Sequence, residues 1–136
     1  MNTAPIFPLT PSIQWGATAL ATANTAKDGT GTVLTVFTAD ATNGSRVDYL
    51  KSRAIGSNIA TVLRLFINNG ATNATPANNV LFMERTIAAT TLSEVAELAD
   101  VYIPLDISLP AGYKVNATVG TTIAAGIMLA GVGGTY

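Results

Sequence analysis

The sequence predicts an all-β domain, an antiparallel β-sandwich of about eight short strands. Three observations lead to this prediction. The chain is rich in Thr, Val and Ile, whose branched side chains favour pleated strands. Short apolar or alternating segments recur along it, separated by Gly, Asn, Asp and Pro. No stretch of about 10–15 residues has the helical periodicity that the crossover connections of a βαβ fold require.

The N-terminal residues 1–12 are predicted to form an extended arm ahead of a single sandwich domain, residues 13–136. Three prolines recur at a spacing of three, at Pro5, Pro8 and Pro11. Each proline fixes its own φ and holds the preceding residue extended. The apolar residues between them are Ile6, Phe7 and Leu9. We expect these three to anchor the arm on a neighbouring subunit; an ordinary frayed terminus is the alternative.

The first half of the domain contains four strand candidates. Segment 12–23 surrounds the single tryptophan, Trp15, and segment 32–38 (TVLTVFT) is rich in β-branched residues. Segment 46–55 is more polar, whereas segment 59–68 is strongly apolar. The dipeptides between the first three segments, Asp28-Gly29 and Asn43-Gly44, are typical of tight turns between strands.

The second half begins with a long loop of turn formers, 69–79, before a strand at 80–86. Segment 91–100 has capping-box spacing, so it predicts either one helical turn or an irregular connection. Strand 101–109 alternates, with its odd positions on one face, and Pro104 predicts an edge position or a strand end. The last two predicted strands are 113–119 and 122–132.

The strand count favours a jelly roll, in which eight strands form two sheets. An immunoglobulin-like sandwich has a similar number of strands and is the alternative. The Cys–Trp–Cys signature of true immunoglobulin domains is absent because the chain contains no cysteine. The predicted fold is therefore a jelly-roll-like sandwich with an extended N-terminal arm.

The composition argues against an enzyme. The chain has no His and no Cys, and only 11% of its residues are charged, so it has few groups for acid–base, nucleophilic or metal chemistry. We therefore expect no catalytic residues, no cofactor and no metal site. A net charge of −1 predicts no nucleic-acid partner, and no apolar run is long enough to predict a membrane span. A mean hydropathy of +0.39 instead suggests a surface that other protein covers.

Two groups of charged residues are candidate interface positions. The basic residues of the polar strand are Arg46, Lys51 and Arg53. They form either a solvent-facing strand that resists edge-to-edge aggregation or a patch for an acidic partner. The charges inside apolar strands are Arg64, Glu84 and Arg85. If the two strands are neighbours, Arg64 and Glu84 can form a cross-strand ion pair; a charge within an interface is the alternative.

Four aromatic residues raise a further possibility. They are Trp15, Tyr49, Tyr102 and Tyr113. An exposed aromatic platform could stack on sugar rings, whereas scattered aromatics more commonly lie in a core or at its rim. A carbohydrate-binding module is therefore one of the alternatives that the sequence leaves open.

Three segments carry a family resemblance: TPSIQWG at 10–16, RLFINNG at 64–70 and LPAGYKVNATVGT at 109–121, which runs on to the GGTY ending. With these segments the chain resembles small structural proteins of tailed bacteriophages, and capsid decoration (cement) proteins among them. The resemblance implies a non-catalytic homotrimer that binds the major capsid protein and reinforces the head lattice. It implies a location on the virion surface after synthesis in the bacterial host cytoplasm. A neck, tail or fibre-base component is the alternative within this group.

Overall fold

The computed structural model describes residues 8–136, and eight strands make up most of its regular structure. The only helical segment in this part of the chain is one 3₁₀ turn, Pro76–Asn78. The strands are β1 Thr10–Trp15, β2 Leu34–Thr38, β3 Ser45–Ala54, β4 Thr61–Asn68, β5 Asn79–Ile87, β6 Asp100–Leu109, β7 Lys114–Val119 and β8 Ile127–Thr135.

The strands form two four-stranded antiparallel sheets. Sheet I has the order β1-β8-β3-β6, and sheet II has the order β2-β7-β4-β5. The pairs β1/β8, β2/β7, β3/β6 and β4/β5 all form, as if one long hairpin had been wrapped around itself. This is the arrangement of a jelly roll. The predicted antiparallel jelly-roll sandwich of eight strands is confirmed.

The core lies between the inner faces of the two sheets. Sheet I contributes Leu50 and Ile103, and sheet II contributes Leu63 and Leu65, all fully buried. Burying one such side chain stabilises a fold by about 1.5–3 kcal/mol. Strand β6 shows the predicted alternation, because its odd positions are the more buried ones, and it lies at an edge of sheet I as Pro104 indicates.

Along one long side of the sandwich, a side-chain amide links the two sheets by bonding to backbone groups, as a neighbouring strand would. On β1, the Nε2 of Gln14 donates to the Thr38 carbonyl at 2.9 Å, and its Oε1 accepts from the Thr38 amide at 2.8 Å. This amide pair links β1 of sheet I to the end of β2 in sheet II. The opposite side, between β5 and β6, leaves an apolar groove of about 310 Å³ that Phe82 and Ile107 help to line.

The last strand begins later than predicted, at Ile127 instead of residue 122. The side-chain oxygen of Asn58 accepts from the amides of Ala125 and Gly126, and its Nδ2 donates to the Gly126 carbonyl. Gly126 has a φ of 85°, which residues with a side chain rarely adopt. The backbone here forms a turn held by Asn58, so the predicted boundary was wrong.

Segment 91–100 is an irregular connection, and the alternative of a helical turn was wrong. Ser93, not Thr91, makes the local bonds: its Oγ accepts from the amides of Val95 and Ala96, each at 3.2 Å. Such a side-chain bond satisfies the amides locally without a helix.

The predicted arm is only partly described. Residues 1–7, with Ile6 and Phe7, lie outside the described residues, and β1 already begins at Thr10, inside the range assigned to the arm. Leu9 is exposed, and its amide donates to the Thr135 carbonyl at 2.7 Å. Pro8 lies against Gly134 of β8, in the space that a Cβ there would occupy.

Replacing Gln14 by Ala should lower the free energy of unfolding by about 1 kcal/mol, because both amide bonds to Thr38 are lost. Urea denaturation followed by circular dichroism measures this change. Thr10→Ala, on the same strand, removes an exposed hydroxyl that does not contact Gln14; it is the matched control and should change stability by less than about 0.5 kcal/mol. Equal effects of the two substitutions would show that the Gln14 bonds do not join the sheets.

Candidate binding face

The outer face of sheet I carries a continuous set of apolar and aromatic side chains. One row across the strands runs from Ile13 through Val132 and Tyr49 to Pro104. The next row runs from Trp15 through Ala130 and Lys51 to Tyr102. We call this surface the bare face; its residues are Pro11, Ile13, Trp15, Arg46, Tyr49, Lys51, Arg53, Asp100, Tyr102, Pro104, Met128, Ala130, Val132 and Gly134.

The large side chains of the bare face are open to solvent. Trp15 is 66% exposed, Ile13 is 63% exposed and Tyr102 is 56% exposed. The rings of Tyr49 and Tyr102 lie 4.9 Å apart and are tilted by 42°. Singly exposed apolar residues are ordinary, but a contiguous apolar patch on a protein surface typically marks a binding site.

The outer face of sheet II is covered by the chain itself. Segment 24–33 is tied down by amide side chains at both of its sides. Asn24 donates to the carbonyls of Thr30 and Thr32, and Asn73 donates to those of Gly29 and Gly31. Asn79, at the start of β5, donates to the Asp28 carbonyl at 3.1 Å.

The residues beneath this cover are buried although they point away from the core. Phe66 alternates with Leu65 and Ile67, which face inward, yet Phe66 is 0% exposed. On β7, Asn116 and Thr118 are buried in the same way. Within residues 8–136, the outer face of sheet I is therefore the one sheet face that is open across its full width.

Arg64 and Glu84 belong to the covered side. Strands β4 and β5 are neighbours, and the Nε of Arg64 lies 2.8 Å from Oε1 of Glu84, which confirms the predicted cross-strand ion pair. The Arg64 side chain is only 10% exposed, and Gly120 leaves the space that its guanidinium occupies. The pair thus links β4 to β5, while the Glu84 side chain stays half-exposed. Arg85 pairs with Leu63 in the register and so points to the inner side at the edge strand β5.

The free edges of the sheets carry features that oppose strand addition. Strand β1 has Pro11, and β5 has a bulge at Phe82 followed by the inward-pointing Arg85. Strand β6 has Pro104 and a bulge next to Asp106, whose φ is 50°. Strand β2 is five residues long and also carries an irregularity. Association through faces is therefore favoured over edge-to-edge pairing.

The predicted basic residues Arg46, Lys51 and Arg53 all lie on the bare face, but each already has a carboxylate partner. Lys51 Nζ is 3.0 Å from Asp100 Oδ2, and Arg53 Nη1 is 2.7 Å from Asp100 Oδ1. The hydrogen bond from Lys51 and the charges of Lys51 and Arg53 lower the pKa of Asp100 below its usual value. Two cations share one carboxylate, so this triad has a net charge of +1.

The other end of the face has the opposite balance. Arg46 lies 2.9 Å from Asp48 and 3.3 Å from Asp106, so one cation is shared by two carboxylates. The hydrogen bond to Asp48 raises the pKa of Arg46 above its usual value. Counted together with Asp48 and Asp106, which pair with Arg46 beside it, the bare face is therefore neutral; it is apolar in its middle and weakly polarised from end to end.

A hollow of about 230 Å³ lies on the bare face beside Trp15. It forms because Ala130, a small residue, stands between Trp15 and Lys51 in the register. The hollow is lined by Trp15, Lys51, Arg53, Met128, Leu129 and Ala130.

Within residues 8–136, no three His, Cys, Asp or Glu side chains lie close enough together to hold a metal ion. The same residues contain no helix of the length and apolarity that crossing a membrane requires. Comparison with protein-family models, with curated proteins and with solved structures finds no match for this chain. The function must therefore be argued from the residues and their geometry.

Sequence reasoning did not identify the bare face. It noted Trp15, Tyr49 and Tyr102 only as scattered aromatics, and the structure brings these three to one surface while Tyr113 borders the groove between β5 and β6. A local signal was present in β1, where Pro11, Ile13 and Trp15 alternate with polar residues. The alternation shows that they share a face but does not say whether that face is inside or outside.

Lowering the pH should destabilise the protein through Asp100. Its pKa is lower in the folded state than in the unfolded chain, so its contribution is full above the ordinary value of 3.8 and is lost as the pH falls through the lowered value. Urea denaturation at about pH 6 and about pH 2.5 should therefore show a smaller loss of stability in Asp100→Asn than in the wild type. Glu94→Gln removes an exposed carboxylate outside the ion pairs found here and should leave the wild-type loss unchanged. If Asp100→Asn loses as much stability between the two pH values as the wild type does, Asp100 does not contribute to the acid sensitivity.

Proposed function

We propose that this protein is a virion structural protein of a tailed bacteriophage, a capsid decoration protein that binds the head lattice through the bare face and performs no catalysis. One observation carries the proposal: a jelly roll whose other outer face is covered and whose edge strands are guarded has one wide apolar face that no part of residues 8–136 covers. Such a face is suited to burial against another protein.

The size of the face supports a lattice partner. Four strands about 4.8 Å apart and six residues at about 3.3 Å each give a projected area of roughly 300–400 Å². A specific interface usually buries about 800 Å² on each partner. A projected area is smaller than the accessible area that the side chains expose, so this face has about the size of one modest interface. A subunit that binds as one member of a trimer, on a repeating lattice, gains further strength from simultaneous contacts.

The first described residues, Pro8 and Leu9, lie beside the same face. Pro8 stands on Gly134, which belongs to the bare face, and Leu9 is exposed next to it. Residues 1–7, which include Ile6 and Phe7, continue from this point. We infer that the N-terminal residues extend the contact area beyond the sheet, as the proline spacing led us to expect of an arm.

The location and the partner follow from the sequence resemblance and belong to the same proposal. The partner is the major capsid protein, the protein associates with itself as a homotrimer, and it resides on the capsid surface. The bare face supports these statements by its chemistry, since apolar and neutral surface is what protein partners cover.

Carbohydrate binding is the second candidate, because Trp15, Tyr49 and Tyr102 share one exposed face. The surroundings favour a protein partner. Sugar hydroxyls require hydrogen-bonding groups beside the aromatic rings, and burial without them is unfavourable. Here most neighbours of the rings are apolar, namely Ile13, Val132, Met128 and Pro104. Lys51 stands next to Tyr102 in the register, but it already pairs with Asp100.

Cosedimentation with capsids that lack this protein, prepared from the phage that encodes it, tests the proposal. The wild type should bind saturably. Ile13→Asp should reduce the affinity at least about tenfold, because it places a charge in the apolar middle of the face. Val95→Asp, at a position 97% exposed on the β5–β6 connection, is the matched control and should bind as the wild type does. Failure of the wild type to bind capsids, together with retention on a glycan array, would replace this proposal with the second candidate.

Deleting residues 1–7 should weaken capsid binding about tenfold or more and leave the thermal unfolding midpoint nearly unchanged, because all eight strands of the sandwich lie at or beyond Thr10. Cosedimentation measures the affinity and circular dichroism the midpoint. Unchanged affinity would mean that the N-terminal residues make no contact with the lattice.

A further inference from the structure

We propose that the hollow beside Trp15 is the anchor pocket of this interface, and that it takes one apolar side chain of a partner protein with an adjacent carboxylate that pairs with Lys51 and Arg53. The identification of that partner as the capsid protein rests on the proposed function. The shape and chemistry of the pocket rest on the geometry alone.

The shape of the hollow depends on the sequence of one row. Trp15 on β1, Ala130 on β8 and Lys51 on β3 lie side by side in the register. The Ala130 methyl group leaves a gap between the indole ring and the lysine stem, and Met128 borders the gap along β8. The result is an open hollow of about 230 Å³ on the bare face, which we call the socket.

The walls of the socket select an apolar group. The indole of Trp15 forms one side, the Ala130 methyl group forms the floor, and the stems of Lys51 and Arg53 form the other side. An apolar side chain that enters loses contact with water and gains about 25 cal/mol for each Å² buried. Trp and Arg are also the residue types that most often dominate binding energy when they become fully desolvated.

The net positive charge beside the socket indicates which kind of residue stands next to that apolar side chain in the partner protein. Lys51 and Arg53 share the carboxylate of Asp100, and the triad keeps a net charge of +1. A carboxylate from the partner would neutralise this charge where the interface excludes water, and hydrogen bonds to charged groups are the strong ones. The partner surface is therefore apolar at one point and acidic next to it.

A second copy of this chain fits the socket less well. A second copy would bring Asp48 and Asp106 from the other end of its own bare face, and both are already bonded to Arg46. It therefore offers Lys51 and Arg53 no carboxylate that lacks a cation of its own, so the observations favour a different protein.

The first test fills the socket. Ala130→Leu places a larger side chain in the gap on an outer face, where the core is not disturbed. It should weaken binding to capsids that lack the protein at least about tenfold. Ala96→Leu makes the same change at an exposed position of the β5–β6 connection, outside the bare face, and should change the affinity less than about threefold. Lys51→Glu with Arg53→Glu should weaken binding and also reduce its dependence on salt.

The second test locates the covered residues directly. Trp15 is the only tryptophan of the chain, so its oxidation is read without ambiguity in a hydroxyl-radical footprint followed by mass spectrometry. In capsid-bound protein Trp15 and Met128 should be protected. Phe82, which is 44% exposed beside the β5–β6 groove, should remain as reactive as in free protein.

The outcomes separate the two proposals. Wild-type binding that Ala130→Leu leaves unchanged, without protection of Trp15, overturns the anchor pocket and leaves the decoration function standing. A native mass that shows a dimer, converted to monomer by Ala130→Leu, assigns the socket to a second copy and also overturns the pocket as proposed. No wild-type binding to capsids overturns the decoration function, and the anchor loses its named partner with it.

Discussion

Amide side chains that bond to loop backbone are the interaction on which the rest of this structure depends. A small sandwich with long connections must satisfy the backbone groups of those connections, and this chain has few charges with which to do so. Asn58 fixes the turn before β8, Gln14 joins the sheets, and Asn24, Asn73 and Asn79 hold segment 24–33. Each amide can donate and accept without the desolvation penalty of an ion. A neutral composition is thus compatible with a closed fold.

The cover over sheet II makes the two outer faces unequal. Because segment 24–33 is tied across sheet II, Phe66 and Asn116 become interior residues although they point outward. Nothing of the kind lies over sheet I in the described chain, so Trp15 and Ile13 remain exposed. The ion pairs follow the same division: Arg64 is sequestered with Glu84 on the covered side, whereas Lys51 and Arg53 stay at the surface. The asymmetry of the surface therefore arises from loop chemistry rather than from the sheets themselves.

The sequence predicted most of the fold because the relevant signals are local. Alternation places the inner residues of β6, Pro104 marks its edge position, and the ion pair of Arg64 with Glu84 needs only that neighbouring strands pair. The start of β8 was missed because its cause, Asn58, lies 68 residues from Gly126. The bare face was missed for a related reason. Its aromatics come from β1, β3 and β6, and only the strand order of the jelly roll makes them neighbours.

The features that block strand addition at the sheet edges, together with the bare face, limit how this protein can associate. An open strand edge invites further strands, and that kind of pairing can continue without end. Proline in β1 and β6, the bulge at Phe82 and the inward Arg85 oppose it. A face, in contrast, is occupied by a single partner. Because apolar contacts are not directional, they do little to fix how that partner is oriented. The hollow at Ala130 and the opposite charge balances at the two ends of this face distinguish one end from the other. Orientation on the partner therefore depends on the hollow and on these charged ends, and affinity depends on the apolar area between them.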